Sequence, residues 1–334
     1  MKDSADIRKI NLNKIRSLLW TGKWFTKQKI AAETGLSVAT CNTLLNELAN
    51  SKEVLSEKIR THDVGPSTQQ YQINENFESI LCVWFDRNDN HDLLTINILA
   101  MTGTVKQRII KRFEELTSEI LFKEIKNIFE TFKNISSVMI GTPSIAENGI
   151  IRHCDIIGLE NYEIVSVLSE QFKVPVCLEN DMHFKVYGYA QNEQGKENIA
   201  TLANFPLGIL PGTATVHGKT IIKGRNQFAG MVGFLPFDMT KEEFTANLQP
   251  DLCRKIVSKT ITALIAIHNP NVIILTGSLL DENSPKWILS DCMQWIPKEY
   301  LPTLIFRKDM SEYYLEGMYR KALELKGEFY HDRI

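Results

Sequence analysis

The sequence predicts an α/β protein, with a small helical head carrying a two-stranded wing and a larger body of alternating strands and helices. Three observations carry this. Within the first 75 residues three short helical patterns follow one another, with Gly35 between the second and third. From about residue 78 onward, short β-branched runs alternate with helical segments, as strand–helix architectures do. The length of 334 residues also exceeds one ordinary domain.

Hydrophobic residues make up 43% and charged residues 23%, which fits a folded globular chain and excludes a disordered one. No apolar run reaches the roughly 18–20 residues of a membrane span. The start, Met1-Lys2-Asp3-Ser4, has no signal-peptide core, so a cytoplasmic location with no membrane partner is expected. The six cysteines are scattered, with no CxC or CxxC pair. They therefore read as small buried apolar residues, not as a disulfide framework or a four-ligand zinc site. Charge is uneven. Residues 1–70 hold eleven Lys/Arg against seven Asp/Glu, a net of +4, so the rest of a chain of formal charge −2 carries −6. A mildly basic head suits approach to a polyanion.

In the head, Leu12, Ile15, Leu18 and Leu19 recur at helical spacing. Thr26 reads as the N-cap of a second helix, Lys27 to Thr34, with Ile30 and Ala31 on its apolar face. Gly35 supplies a left-handed turn residue, Leu36 a core plug and Ser37 the next cap. In the third helix Val38, Cys41, Leu45 and Leu48 share one face. The opposite face shows Ala39, Thr40, Asn42, Thr43 and Asn46, small or amide side chains suited to entering a major groove and meeting base edges and phosphates. Residues 54–59 and 70–73 then read as two strands of a wing, with Lys58, Arg60 and Ser67 placed for backbone contacts. The candidate DNA-contacting set is Thr26, Ser37, Ala39, Thr40, Asn42, Thr43, Asn46, Lys58, Arg60 and Ser67, with double-stranded DNA as partner. A small helical protein-interaction domain is the competing reading.

In the body, Ile80 to Phe85 and Leu93 to Ala100 read as a hairpin, and Phe113 to Lys133 as a long helix. Val138 to Gly141 reads as a strand, Tyr162 to Phe172 as a helix, residues 174–178 as a strand and His183 to Gln191 as a helix. Strands are expected at Ile199 to Ile209, Ala214 to Ile222 and Val272 to Thr276. Leu252 to Asn269 and Met310 to Lys326 read as helices.

These segments carry a resemblance. The wing segment Val64-Gly65-Pro66-Ser67 to Tyr71-Gln72-Ile73-Asn74, the run Leu178-Glu179-Asn180-Asp181, the stretch Asn226 to Pro236, and Asn269-Pro270 followed by Val272 to Gly277 together resemble the ROK family of repressors and sugar kinases. The likeness extends over nearly the whole chain. It implies a winged helix-turn-helix followed by a two-lobed, actin-like ATPase (sugar-kinase-like) domain. The expected domains are 1–75 for the head, 78–190 for a first lobe completed by a helix at 308–330, and 191–307 for a second lobe.

Departures from the family pattern decide the expected chemistry. The D-x-G-x-T phosphate turn has no counterpart in Val83 to Asp89, which lacks its glycine. The second phosphate loop is Leu207 to Thr213, where Pro211 removes an amide donor. Ser278 replaces one of two glycines of the adenosine loop. The family's zinc cysteines are absent, leaving only Cys253 nearby, and His217 and His268 read as structural. Asp181 occupies the position of the family's general base, with Glu179 and Asn180 beside it. Asp155 stands where the family often has an Asn, and Met231 and Phe234 replace polar sugar contacts. These six form the candidate effector set, although the Asn180–Asp181 turn would serve equally as a cap for the following helix.

The resulting expectation is a repressor-type transcriptional regulator of carbohydrate-related genes, acting as a homodimer or tetramer and answering to a sugar or sugar-derived effector. No catalysis, cofactor or metal is expected. The competing functions are a sugar kinase with an accessory head and a regulator without a ligand.

Overall fold

The computed structural model describes residues 4–59, 67–88, 91–193 and 199–332. The head opens with α1 (Ser4–Leu19), β1 (Phe25–Thr26), α2 (Lys27–Thr34) and α3 (Val38–Asn50), followed by β2 (Val54–Ile59) and β3 (Thr68–Ile73). The local chemistry follows the sequence closely. Thr26 caps α2 by accepting from the Lys29 amide, Gly35 is left-handed at φ 70°, and Ser37 caps α3 by accepting from the Thr40 amide. Strand β3 pairs antiparallel with both β1 and β2, giving the order β1-β3-β2.

The head's core is Ile15, Leu19, Ile30, Cys41, Leu45, Leu48 and Tyr71, all at or near full burial. One expectation fails here. Val38 is exposed, and Leu44 takes the buried place on α3. As the first residue of the helix, Val38 has no preceding turn to carry it onto the core face. Beneath the helices, Arg16 clamps Glu53 through Nε and Nη2 at 2.6 and 2.8 Å, joining α1 to the start of β2.

The body continues with β4 (Ser79–Asn88), β5 (His91–Ala100), β6 (Val105–Phe113), α4 (Ser118–Thr131), β7 (Ile135–Thr142), β8 (Ile145–Glu147), β9 (Ile150–Arg152), α5 (Ile164–Phe172) and β10 (Val176–Asn180). After these come α6 (Asp181–Glu193), β11 (Ile199–Asn204), β12 (Gly212–His217), β13 (Thr220–Ile221), α7 (Lys241–Ala246), α8 (Arg254–His268), β14 (Val272–Thr276), α9 (Ser284–Cys292), β15 (Thr303–Phe306) and α10 (Ser311–Asp332). One five-stranded sheet has the order β10-β7-β4-β5-β6, and a second has β13-β12-β11-β14-β15.

Three segments differ from expectation, the first being the strand expected from Ile199 to Ile209, which ends at Asn204. Phe113 ends strand β6 and does not start a helix; α4 begins at Ser118 behind an N-cap at Thr117. The expected strand from Ala214 to Ile222 is split by a turn in which Gly218 has φ 59°, yielding β12 and the short β13.

By internal contacts the chain divides into two compact units. One comprises Met1–Ile140, Ile164–Cys177 and Lys321–Ile334, the other Gly141–Glu163 and Leu178–Arg320. In the first, the Lys326 ammonium on α10 is buried, donating to Ser136 Oγ at 2.7 Å and pairing with Glu78. In the second, α6 and α10 pack at glycine positions: a Cβ on Gly188 would sit 1.9 Å from the Tyr313 carbonyl oxygen, and one on Gly317 1.9 Å from that of Phe184.

Candidate DNA interface and effector site

The sequence of α3 sets its exposed face. Ser37, Ala39, Thr43 and Asn46 are exposed, with Thr40 and Asn42 half-buried between them, and no carboxylate occurs from Ser37 to Asn46. The side chains are held in place by short links. Ser37 Oγ and Thr40 Oγ1 share a hydrogen bond of 2.8 Å, and Thr43 Oγ1 donates to the Ala39 carbonyl. Asn42 Oδ1 accepts from the Lys27 ammonium, which also lies 5.9 Å from the Tyr71 ring centroid. Lys27 thus joins α2 to the polar face of α3, a role the sequence pattern did not single out. Thr26 is half-buried at its cap. Lys58 is exposed on β2 and Ser67 is exposed ahead of β3, while Arg60 lies outside the described residues.

In the body, the end of β10 and the start of α6 bring Glu179, Asn180 and Asp181 together. Asn180 Oδ1 accepts from the Met182 amide at 2.9 Å, capping α6, and its Nδ2 donates to the Ser144 carbonyl at 3.1 Å. Asp181 is buried and pairs with Lys185 one turn along the helix. Glu179 is deeper, 4% exposed, and its two oxygens are divided. Oε1 meets His183 Nδ1 at 2.7 Å and Oε2 pairs with the Lys223 ammonium. Burial alone would push this carboxyl up. The hydrogen bond to His183 and the charges of His183 and Lys223 outweigh it and hold the group below the usual carboxylate range.

Asp155 is exposed after β9. Met231 is half-buried, and Phe234 is exposed with its ring centroid 5.3 Å from that of Phe228. The charges around Glu179 were only partly readable. Positions 183 and 185 lie four residues from their carboxylates on one helix, but Lys223 comes from 44 residues away.

The register of the β4–β5 hairpin pairs Asn88 with His91, leaving two connecting residues where the resemblance would have its first phosphate turn. At the position of the second loop, the Leu207 amide donates to Ser278 Oγ at 2.9 Å and the Gly208 amide to the Leu248 carbonyl at 3.2 Å. Leu207, Ile209 and Leu210 are exposed there. Among the described residues, no group of three His, Cys, Asp or Glu side chains could hold a metal, and no helix is long and apolar enough to cross a membrane.

Residues 95–248 match the model of the ROK family. A ROK family transcriptional regulator, a homologue of the E. coli MLC protein, superposes with a TM-score of 0.66 at 15% identity, over 96% of this chain and 97% of that one. The ROK hexokinase of Thermus thermophilus superposes with a TM-score of 0.56 at 17% identity, over 74% of this chain and 99% of its own. A ROK family protein from Streptococcus pneumoniae, crystallised with sucrose, gives 0.56 at 14% identity, over 75% and 99%. No curated protein matches the chain by sequence. The architecture is therefore the α/β, actin-like fold that ROK regulators and ROK sugar kinases share.

Proposed function

We propose that this chain is a sequence-specific DNA-binding transcriptional regulator, with residues 1–75 as its reading head and the ROK domain as a non-catalytic sensing and assembly body. The observation that carries the reading is the polar face of α3, which is free of carboxylates and follows a left-handed Gly35 turn. An exposed helix face of Ser, Ala, Thr and Asn presents donors and acceptors without repelling phosphate, as a recognition helix in a major groove requires. Thr26, Ser37, Lys58, Arg60 and Ser67 are assigned to the backbone, and Ala39, Thr40, Asn42, Thr43 and Asn46 to the groove.

The reading entails a cytoplasmic location, a homodimer or tetramer that presents paired heads, and repression of carbohydrate-related genes. In the body, the fixed Asn180–Asp181 pair with Glu179, Asp155, Met231 and Phe234 is the proposed effector site. Loss of catalysis is supported by the loop at Leu207, whose first two amides already have acceptors within the protein.

The test is a gel shift on fragments flanking the protein's own gene, comparing the wild type with a Thr40→Ala/Asn42→Ala/Thr43→Ala variant. Preferential retention by the wild type is expected. Equal retention would sink the assignment.

A further inference from the structure

We propose that the groove between α8 and α9 is a self-complementary contact, against which a second copy of the chain lays its own groove about a two-fold axis. This deepens the proposed function: it rests on the paired heads which that reading requires, and it names the surface that would pair them. The groove encloses about 860 Å³. Ala263 and Ala266 on the outward face of α8 form part of its wall, leaving space that longer side chains would fill. Trp295, 77% exposed, and Leu252, 54% exposed, also line it. Ile267, next to Ala266 in the chain, and Met293, two residues before Trp295, are exposed as well. Large apolar side chains gathered in this way mark a surface that meets another protein surface.

The charges of the groove select the partner. Arg254 gives Nε and Nη2 to Asp291 at 2.9 and 2.7 Å, and Ser258 Oγ donates to the same carboxylate at 2.7 Å. Lys259 pairs with Asp238 at 3.2 Å. One carboxylate and one ammonium remain, Asp251 and Lys255. Both line the groove, and among the described residues neither has a hydrogen-bond or ion-pair partner. A partner carrying a single sign of charge would set one of them against its like. A second copy brings one of each. A two-fold axis turns Asp251 of either copy toward Lys255 of the other, and the pairing occurs twice.

The apolar features are complementary in the same sense. One surface carries both an outward indole, Trp295, and a hollow walled by alanines, so each copy supplies the knob for the other's hole. An aromatic anchor with charged side chains around it is the anatomy of a protein interface. A small polar ligand finds less to orient it: among the described residues, no buried polar atom without a partner belongs to the groove.

Sedimentation velocity of the full chain tests the contact. The wild type is expected at a multiple of the 38.2 kDa of one chain. Trp295→Ala removes the knob and Ala266→Trp fills the hole, and each should weaken association at least about tenfold. Asp251→Lys and Lys255→Asp, each alone, put like charges on both sides of the axis and should weaken it too. Mixed one to one, those two variants should associate again, because the lysines of one then meet the aspartates of the other. All four positions are exposed, and recovery on mixing shows directly that both charge variants fold. A wild type that sediments as one chain overturns the proposal and leaves the groove to a different partner. Unchanged association in these variants, or a mixture as dissociated as its components, overturns it equally. Gel shifts on the same proteins keep the two readings apart. A wild type that associates through the groove but retains no DNA fails only the head, and one that retains DNA while its mass ignores these substitutions fails only the groove.

Discussion

The amide of Leu207 donates to the hydroxyl of Ser278 at 2.9 Å, tying the loop before β12 to the turn after β14. In an ATPase of this architecture those two places face the nucleotide, and free amides are what a phosphate loop offers. Here the next amide, that of Gly208, is also taken, by the Leu248 carbonyl. Magnesium–ATP is therefore expected to leave the thermal midpoint unchanged, whereas a nucleotide at a hundred times its dissociation constant would add about 2.7 kcal/mol. Ser278→Gly should not restore binding, because Gly208 keeps its acceptor. A coupled ADP-release assay over hexoses and amino sugars is expected to show no turnover that depends on Asp181.

The head makes two different kinds of contact testable. Asn46 is exposed on the proposed reading face of α3, so Asn46→Ala is expected to cost about 1–3 kcal/mol on a specific site and little on random DNA. Lys58 is exposed on β2, and the proposed function assigns its ammonium to phosphate and not to a base. Lys58→Ala should weaken specific and random DNA alike and reduce the slope of log affinity against log salt by about 1. Titrations at several salt concentrations separate the two.

The difference between these local elements and the remainder shows what the sequence exposes. Thr26, Gly35 and Ser37 act within four residues of themselves, so capping chemistry made α2 and α3 readable nearly to the residue. The turn Asn148–Gly149, at φ 52° and 81°, joins β8 to β9 and carries a local hairpin signal too, although the hairpin was not anticipated. The edge strand β6 was misread, because Phe113 continues smoothly toward an apolar helical pattern and the cap that separates them is a lone threonine, Thr117. At the candidate effector site, Asn180 was read both as a ligand contact and as a cap. The cap is what its hydrogen bonds show. Lys223 could not be read at all, since only the folding of β13 and its following turn brings it to Glu179.

That pairing sets a pH dependence. The Glu179 carboxyl is held below its ordinary value of 4.5 in the folded protein, so its contribution is fully present above that value and is lost as pH falls through the lowered one. Glu179→Gln is expected to destabilise the protein by about 1–3 kcal/mol at neutral pH, because the negative charge is lost and one of the two acceptor oxygens shared between His183 and Lys223 becomes an NH2 donor. The wild type and the variant should converge in acid, below the folded value. Urea titrations at a series of pH values measure the gap directly.

The packing of α6 against α10 gives the most severe expectation. Gly188 and Gly317 have backbone, not side-chain, neighbours: the Tyr313 carbonyl faces one and the Phe184 carbonyl the other, each 1.9 Å from where a Cβ would stand. A backbone oxygen on a helix cannot swing aside as a side-chain end can, so the helices themselves would have to separate. Ala is the better helix former by about 1 kcal/mol, and an isolated helix would gain from the change. Here the clash is expected to dominate. Gly188→Ala and Gly317→Ala should each destabilise by about 3 kcal/mol or more, at the upper end of single substitutions. Because both residues serve one contact, the double variant should cost less than the sum of the two, as thermal unfolding of the four proteins in a double-mutant cycle will show.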